Sequence, residues 1–228
     1  MADSSALMSG IQLYNRKAYK DALAFFLALS PDAGSDTGEL AYYLGLCYAQ
    51  LERYDDALLY LEQVVTSGAV LERVLQCRFL LAVIYALSGR KRLADFELNK
   101  LLETGYKTAS VYAAIAYVAW EQNDTDKCLS YYMKSLETDP DNLSSLNGMG
   151  YVLACEKRDL TKALTCCKKA VAASPRSAAC LDSLGWVYYN LGLMKEARHY
   201  LELAAKHAHG NAVIAHHLEL VKKAGDSA

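Results

Sequence analysis

Apolar side chains recur at helical spacing along most of the chain, and residues 181–197, "LDSLGWVYYNLGLMKEA", read as helix almost throughout. Gly185 interrupts that stretch where an alanine would stabilise an isolated helix by about 0.5–1 kcal/mol. Small residues return at Gly10, Gly45, Ala82, Ala116, Gly150 and Gly185, spaced 35, 37, 34, 34 and 35 residues apart. A second register, Ala22, Ala57, Ala94, Cys128, Ala163 and Ala197, is spaced 35, 37, 34, 35 and 34 apart. Two independent registers therefore share one period, which is the mark of an internal repeat. Leu13, Tyr48, Tyr85, Ala119, Leu153 and Tyr188 follow the first small residue by three places in each copy.

The physical reading of the small residues is close approach. Helix axes pack 8–10 Å apart depending on the side chains between them. A glycine in one helix lets the next come near, and the tighter packing of Leu184, Tyr188 and Leu201 offsets the lost helix propensity at Gly185. The pattern predicts that the small residue of each first helix faces that of the second.

The period and the motif "LDSLGWVYYNLG" resemble the tetratricopeptide repeat in its bacterial form, two antiparallel helices in about 34 residues. "ASVYAAIAYVAWEQNDTDKCLSYYMKSLETDPDN" matches it without a gap. The resemblance implies an all-α solenoid, a right-handed superhelix of helix pairs with a concave groove, forming a single domain over 1–228. Six repeats fall near 3–37, 38–71, 75–108, 109–142, 143–177 and 178–211. Repeat three is preceded by three extra residues, so its first helix is expected to start near Ala69, and Arg78 stands where the family has a large apolar residue. Repeat five has one extra residue in "CEKRDLTKA", which a surface turn absorbs. Pro31, Pro140 and Pro175 fall where second helices should stop.

After repeat six, residues 212–225 are expected to form a lone capping helix, as solenoids require. Val213, Ile214, His217, Leu218 and Val221 are expected to cover the last pair, with His216, Glu219, Lys222 and Lys223 in water.

In the family, first helices line the groove. Carried over register by register, the resemblance points to Tyr14, Tyr42, Phe79, Tyr117, Trp120, Asn147, Tyr151, Asp182, Trp186, Tyr189 and Asn190 as partner-binding positions. The family's carboxylate clamp for acidic chaperone tails uses lysine and arginine at these places; the inferred surface has neither. An apolar or aromatic peptide or helix of a partner protein fits better. The position after the small residue runs Ile11, Leu46, Val83, Tyr117, Tyr151, Trp186, so the second half presents an aromatic at every step. These rings either meet a partner or pack between neighbouring first helices.

Charge changes this picture little. Residues 1–114 carry 11 basic and 13 acidic side chains and residues 115–228 carry 13 of each, so neither half has the basic footprint of a nucleic-acid binder. No catalytic constellation is visible, and no cofactor or metal is expected. His207 and His209 are followed by His216 and His217, but adjacent helical residues point about 100° apart and cannot easily share an ion. Gly148-Met-Gly150 lacks a third glycine and a preceding strand and reads as repeat punctuation.

Cys47, Cys77, Cys128, Cys155, Cys166, Cys167 and Cys180 include no CxxC, and an odd count cannot pair internally. They read as small apolar fillers in a reduced compartment, with Cys155 at the groove edge as the one regulatory-thiol alternative. "GRKR", 89–92, is a solvated turn or, less simply, a phosphate site. No run approaches the ~18 apolar residues of a membrane span. The expectation is a cytoplasmic protein, or a periplasmic one if an export signal preceded this sequence.

Two function classes lead. One is a non-enzymatic adaptor that holds a partner segment in the groove. The other is a structural scaffold or assembly factor of a larger envelope, secretion or motility complex, possible by self-association. An enzyme or thiol- or metal-using regulatory subunit is the third.

Overall fold

The structure, a computed structural model, describes residues 2–29, 37–208 and 210–225. Pro31, His209 and the end of repeat one lie outside the described residues. Among the described residues thirteen helices follow one another: α1 (Ala2–Asn15), α2 (Tyr19–Leu27), α3 (Thr37–Gln50), α4 (Tyr54–Thr66), α5 (Leu71–Leu87), α6 (Lys91–Glu103), α7 (Ala109–Glu121), α8 (Thr125–Thr138), α9 (Leu143–Cys155), α10 (Leu160–Ala173), α11 (Ala178–Asn190), α12 (Met194–His207) and α13 (Ala212–Gly225). They pair as six hairpins and a terminal helix. The chain falls into two compact units, residues 1–107 and 108–228, divided between the third and fourth hairpins.

Within each unit every helix packs on the next in the chain, and first helices of consecutive hairpins also touch. The second-helix small residues, from Ala22 to Ala197, are all fully buried. Opposite them, a side chain on Gly185 would place its Cβ 2.7 Å from Cγ and 3.2 Å from the backbone nitrogen of Leu201; on Gly45 it would lie 2.9 Å from Leu61. Gly10 meets Phe26 and Gly150 meets Cys167 in the same way. The glycine therefore seats the residue one turn beyond the small one, so the expected pairing of Gly185 with Ala197 is shifted to Leu201. Gly148 serves a different neighbour, opening room for the hydroxyl of Tyr132 from the preceding hairpin.

The hairpin turns contain a third register. Lys17, Glu52, Gly89, Asn123, Lys157 and Gly192 all have left-handed backbone, with φ between 51° and 76°. In each case the next amide closes the helix end: Ala18 donates to Leu13 O, Arg53 to Tyr48 O, Arg90 to Tyr85 O, Asp124 to Ala119 O, Arg158 to Leu153 O and Leu193 to Tyr188 O. This six-to-one bond is the Schellman closure, which satisfies otherwise orphaned carbonyls. Its acceptors are the residues three places after each first small residue. The extra residue of repeat five lengthens this turn and puts Asp159 at φ 35°, where its carboxylate caps α10 by accepting from Lys162 N–H.

Helix α8 ends two residues before Pro140 and α10 two before Pro175. Helix α5 starts at Leu71 rather than near Ala69, because Val70 is extended at φ −53°, ψ 134°. Arg78 is accommodated by an ion pair with Glu97 of α6 at 2.6 Å. In α13, Ile214, His217 and Val221 are buried and Leu218 is half-buried. Val213 is 51% exposed, contrary to expectation: it is the second residue of the helix, where its amide is held by Asn211 Oδ1 in the cap rather than its side chain in the seam. No helix among the described residues is long and apolar enough to cross a membrane.

Candidate functional site

In the unit 108–228, rings on the first helices are joined into a line by the imidazole of His217 from α13. Trp120 of α7 meets Tyr151 of α9 edge to face with centroids 6.5 Å apart, and Tyr151 lies 6.3 Å from the imidazole of His217. His217 stacks on Trp186 of α11 at 4.1 Å and 14°, and Trp186 stacks in turn on Tyr189 at 5.0 Å and 15°. Trp120, Tyr151, Trp186 and Tyr189 are each half-buried, each packed against another ring of the line, while Tyr117 is 39% exposed. These rings therefore pack on neighbouring rings while staying part exposed. Burial pushes the Tyr117 and Tyr151 hydroxyls above their ordinary range, so both stay protonated donors at neutral pH.

Asp182 is not free on this face. It is 6% exposed, and His217 Nδ1–H donates to its Oδ1 at 2.9 Å. The two residues are 35 apart, but the helix starts and their caps Ser177 and Asn211 are 34 apart, so His217 stands one place past the register of Asp182, and the repeat did not signal the pairing. His217 is a residue of this face that sequence reasoning assigned only to covering. Asn147 sits at the register of Asp182 in α9; it is half-buried, and its Oδ1 has no hydrogen-bond partner. The indole N–H of Trp186 is likewise buried, and its polar neighbour is the Cys155 thiol, whose pKa it lowers against the effect of burial. Asn190 turns its amide back onto Trp186 O at 2.9 Å.

The unit 1–107 is built differently. Tyr14 of α1 touches Tyr19 of α2 and Tyr43 of α3, and Tyr43 also meets Phe26 and Tyr42. Tyr42 donates its hydroxyl to Gln76 of α5, and its pKa is pushed up to about 12, first by burial. Arg73 of α5 lies 5.6 Å from the centroid of that ring and is paired with Glu39. Phe79 is half-buried. Ile11, Leu46 and Val83, at the register of the later aromatics, are half-buried aliphatics.

Cys47, Cys77 and Cys128 are buried thiols whose pKa burial lifts to about 12, and Cys166, Cys167 and Cys180 are also buried. Cys155 is half-buried, and burial raises its thiol as well. In the 89–92 turn, Arg90 reaches Asp55 of α4 at 3.5 Å.

Sequence models of the tetratricopeptide repeat match residues 109–142, 177–206 and 39–67. No curated protein matches the chain. Among solved structures, a chain of the APC/C hetero-tetramer Cut9–Hcn1 is similar at TM-score 0.79 and 12% identity over 96% of this chain, which spans 42% of that one. A tetratricopeptide repeat protein from Parabacteroides merdae is similar at TM-score 0.72 and 13% identity, covering 95% of this chain and 83% of its own. The MamA protein follows at TM-score 0.55 and 16% identity, over 75% of this chain and 92% of its own. At such identities these likenesses concern the fold. The chain is a tetratricopeptide repeat protein, an all-α solenoid of a kind built for protein–protein interaction.

Proposed function

We propose that the chain is a non-enzymatic adaptor whose main binding face is the ring line of α7, α9 and α11, and that it holds an apolar or aromatic segment of a partner protein there. The carrying observation is the run Trp120, Tyr151, Trp186, Tyr189, in which each ring is fixed by another ring and stays part exposed. Aromatic anchors held in place supply contact area at low entropic cost, which is what makes such residues dominate interface energetics. A face without lysine or arginine favours an apolar ligand over an acidic tail. Tyr14, Tyr42 and Phe79 belong to the same proposed set, but in the unit 1–107 Tyr14 and Tyr42 are engaged with Tyr19, Tyr43 and Gln76.

The test is capture of the partner from native extract by the full chain, compared with Trp186→Ala and Tyr151→Ala. The adaptor reading expects loss of capture with helical circular dichroism retained. Undiminished capture by both variants contradicts it.

A second reading, a scaffold that self-associates, is favoured by the back of the unit 1–107, where Leu59 and Phe96 stand at the same register of α4 and α6 and are more than half exposed. It expects a concentration-dependent oligomer that Leu59→Glu with Phe96→Glu dissolves, with partner capture indifferent to Trp186.

A further inference from the structure

The second helices α8 and α10 carry a feature that the ring line does not use. Lys127 and Lys134 lie seven residues apart on α8, and Lys162 and Lys169 seven apart on α10. The two pairs are offset by 35 residues, so the four lysines occupy the same two register positions of consecutive second helices. Seven residues are about 10.5 Å along a helix and return to the same face within about 20°. By register the four lysines hold matching positions on the two helices, followed at the next hairpin by Glu196 and Leu203, which take those positions on α12.

None of the four is in an ion pair among the described residues. Lys134 lies over the ring of Tyr131 at 4.4 Å, and Lys162 and Lys169 flank the buried Cys166, close enough that both pull its thiol pKa down against burial. The acidic groups nearby are turned elsewhere. Asp124 accepts from the backbone of Lys127 and Asp159 from the backbone of Lys162, each capping a helix, while Asp126 takes Arg158 at 2.8 Å. Glu137, three residues beyond Lys134, is exposed and unpaired with it. Helix α10 itself contains Lys162, Lys168 and Lys169 and no acidic residue, in a chain whose net charge is −2.

We infer that the back of α8 and α10 is a second docking surface, and that its occupant is an acidic segment of a partner protein with carboxylates one heptad apart. Charge complementarity selects the sign. The 10.5 Å spacing selects discrete carboxylates: a nucleic-acid backbone, charged every few ångströms, would run onto Glu137 and Glu196 at the edges. The surface is separate from the ring line, so one partner can engage both or two partners one each.

The probe is a fluorescein-labelled helical peptide with glutamates at heptad spacing in an alanine and glutamine background, and the readout is fluorescence anisotropy with the full chain. Lys162→Glu with Lys169→Glu is compared with Lys20→Glu with Lys107→Glu, which changes net charge equally on the other unit. The inference expects affinity to fall roughly tenfold in the first variant and less than about twofold in the second. It also expects binding to weaken as ionic strength rises from about 0.02 M to about 0.3 M, and Trp186→Ala to leave it unchanged. Equal losses in the two charge variants overturn it, as does tighter, equally lysine-dependent binding of short single-stranded DNA or of phosphatidylserine vesicles.

Discussion

Helices α5 and α11 hold the same place in their hairpins and are secured by different means. Helix α5 is tied by polar side chains: Arg73 to Glu39, Gln76 to Tyr42, Arg78 to Glu97 and Tyr85 to Glu62. Helix α11 is tied by closeness and by rings: Gly185 against Leu201, Trp186 under His217 and Tyr188 on Tyr200 at 5.5 Å. The ends of the helices differ in the same sense. Helices α2, α4, α5 and α6 have no side-chain cap, whereas in the unit 108–228 Thr108, Asp124, Asn142, Asp159, Ser177 and Asn211 cap α7, α8, α9, α10, α11 and α13 and α12 alone among its described helices lacks one. A side-chain cap contributes about 1 kcal/mol, so the unit 108–228 is locally better specified. Fixed helices are what a face of part-exposed rings needs if its anchors are to be ordered before a partner arrives.

The largest effect is expected where α11 is closest to α12. Gly185→Leu drives a branched side chain into Leu201 and its backbone, and overpacking there should cost about 3 kcal/mol or more, read as a lower midpoint in urea denaturation. Next comes the polar tie of α5. Glu97→Ala strands Arg78 with much of its side chain buried, and the expected loss is about 2–3 kcal/mol. Arg78→Leu together with Glu97→Leu should recover stability to within about 1 kcal/mol of the original, because an apolar pair of similar volume replaces a desolvated ionic one. If the double variant is as unstable as the single one, the contrast between the two helices is mistaken.

How much of this was legible without coordinates depends on the residue. The hairpins, their order and the cap follow from the two small-residue registers, since a helix seam tolerates only small side chains at its closest point. The third register was hidden because Lys17, Glu52 and Lys157 adopt left-handed backbone without being glycine. Val70 ends the turn in extended backbone, which moved the start of α5 by two residues. For the candidate site, the aromatic run at 117, 151 and 186 could be read directly from the period, but the fate of Asp182 could not. Its partner is a titratable residue of the cap, and a single sequence does not say whether a carboxylate at that register faces solvent or a neighbour. Arg78 was visible as a departure from pattern, while its remedy, Glu97, was one polar residue among many.

The smallest effects concern the helix ends. Val70→Ser supplies the cap that α5 lacks and should stabilise the chain by about 1 kcal/mol, whereas Ser177→Ala should destabilise it by about the same amount. Thermal melts of the two variants would show shifts of opposite sign; equal or absent shifts would remove capping from the contrast between the units.

The central claim is that partner segments are held by the first helices of the unit 108–228. Its most direct test is hydrogen–deuterium exchange of the full chain with and without a partner recovered by capture. The account predicts added protection in residues 109–121, 143–155 and 178–190 and little change in 37–50 and 71–87. Protection confined to α3 and α5, with α9 and α11 exchanging as in the free chain, would contradict it.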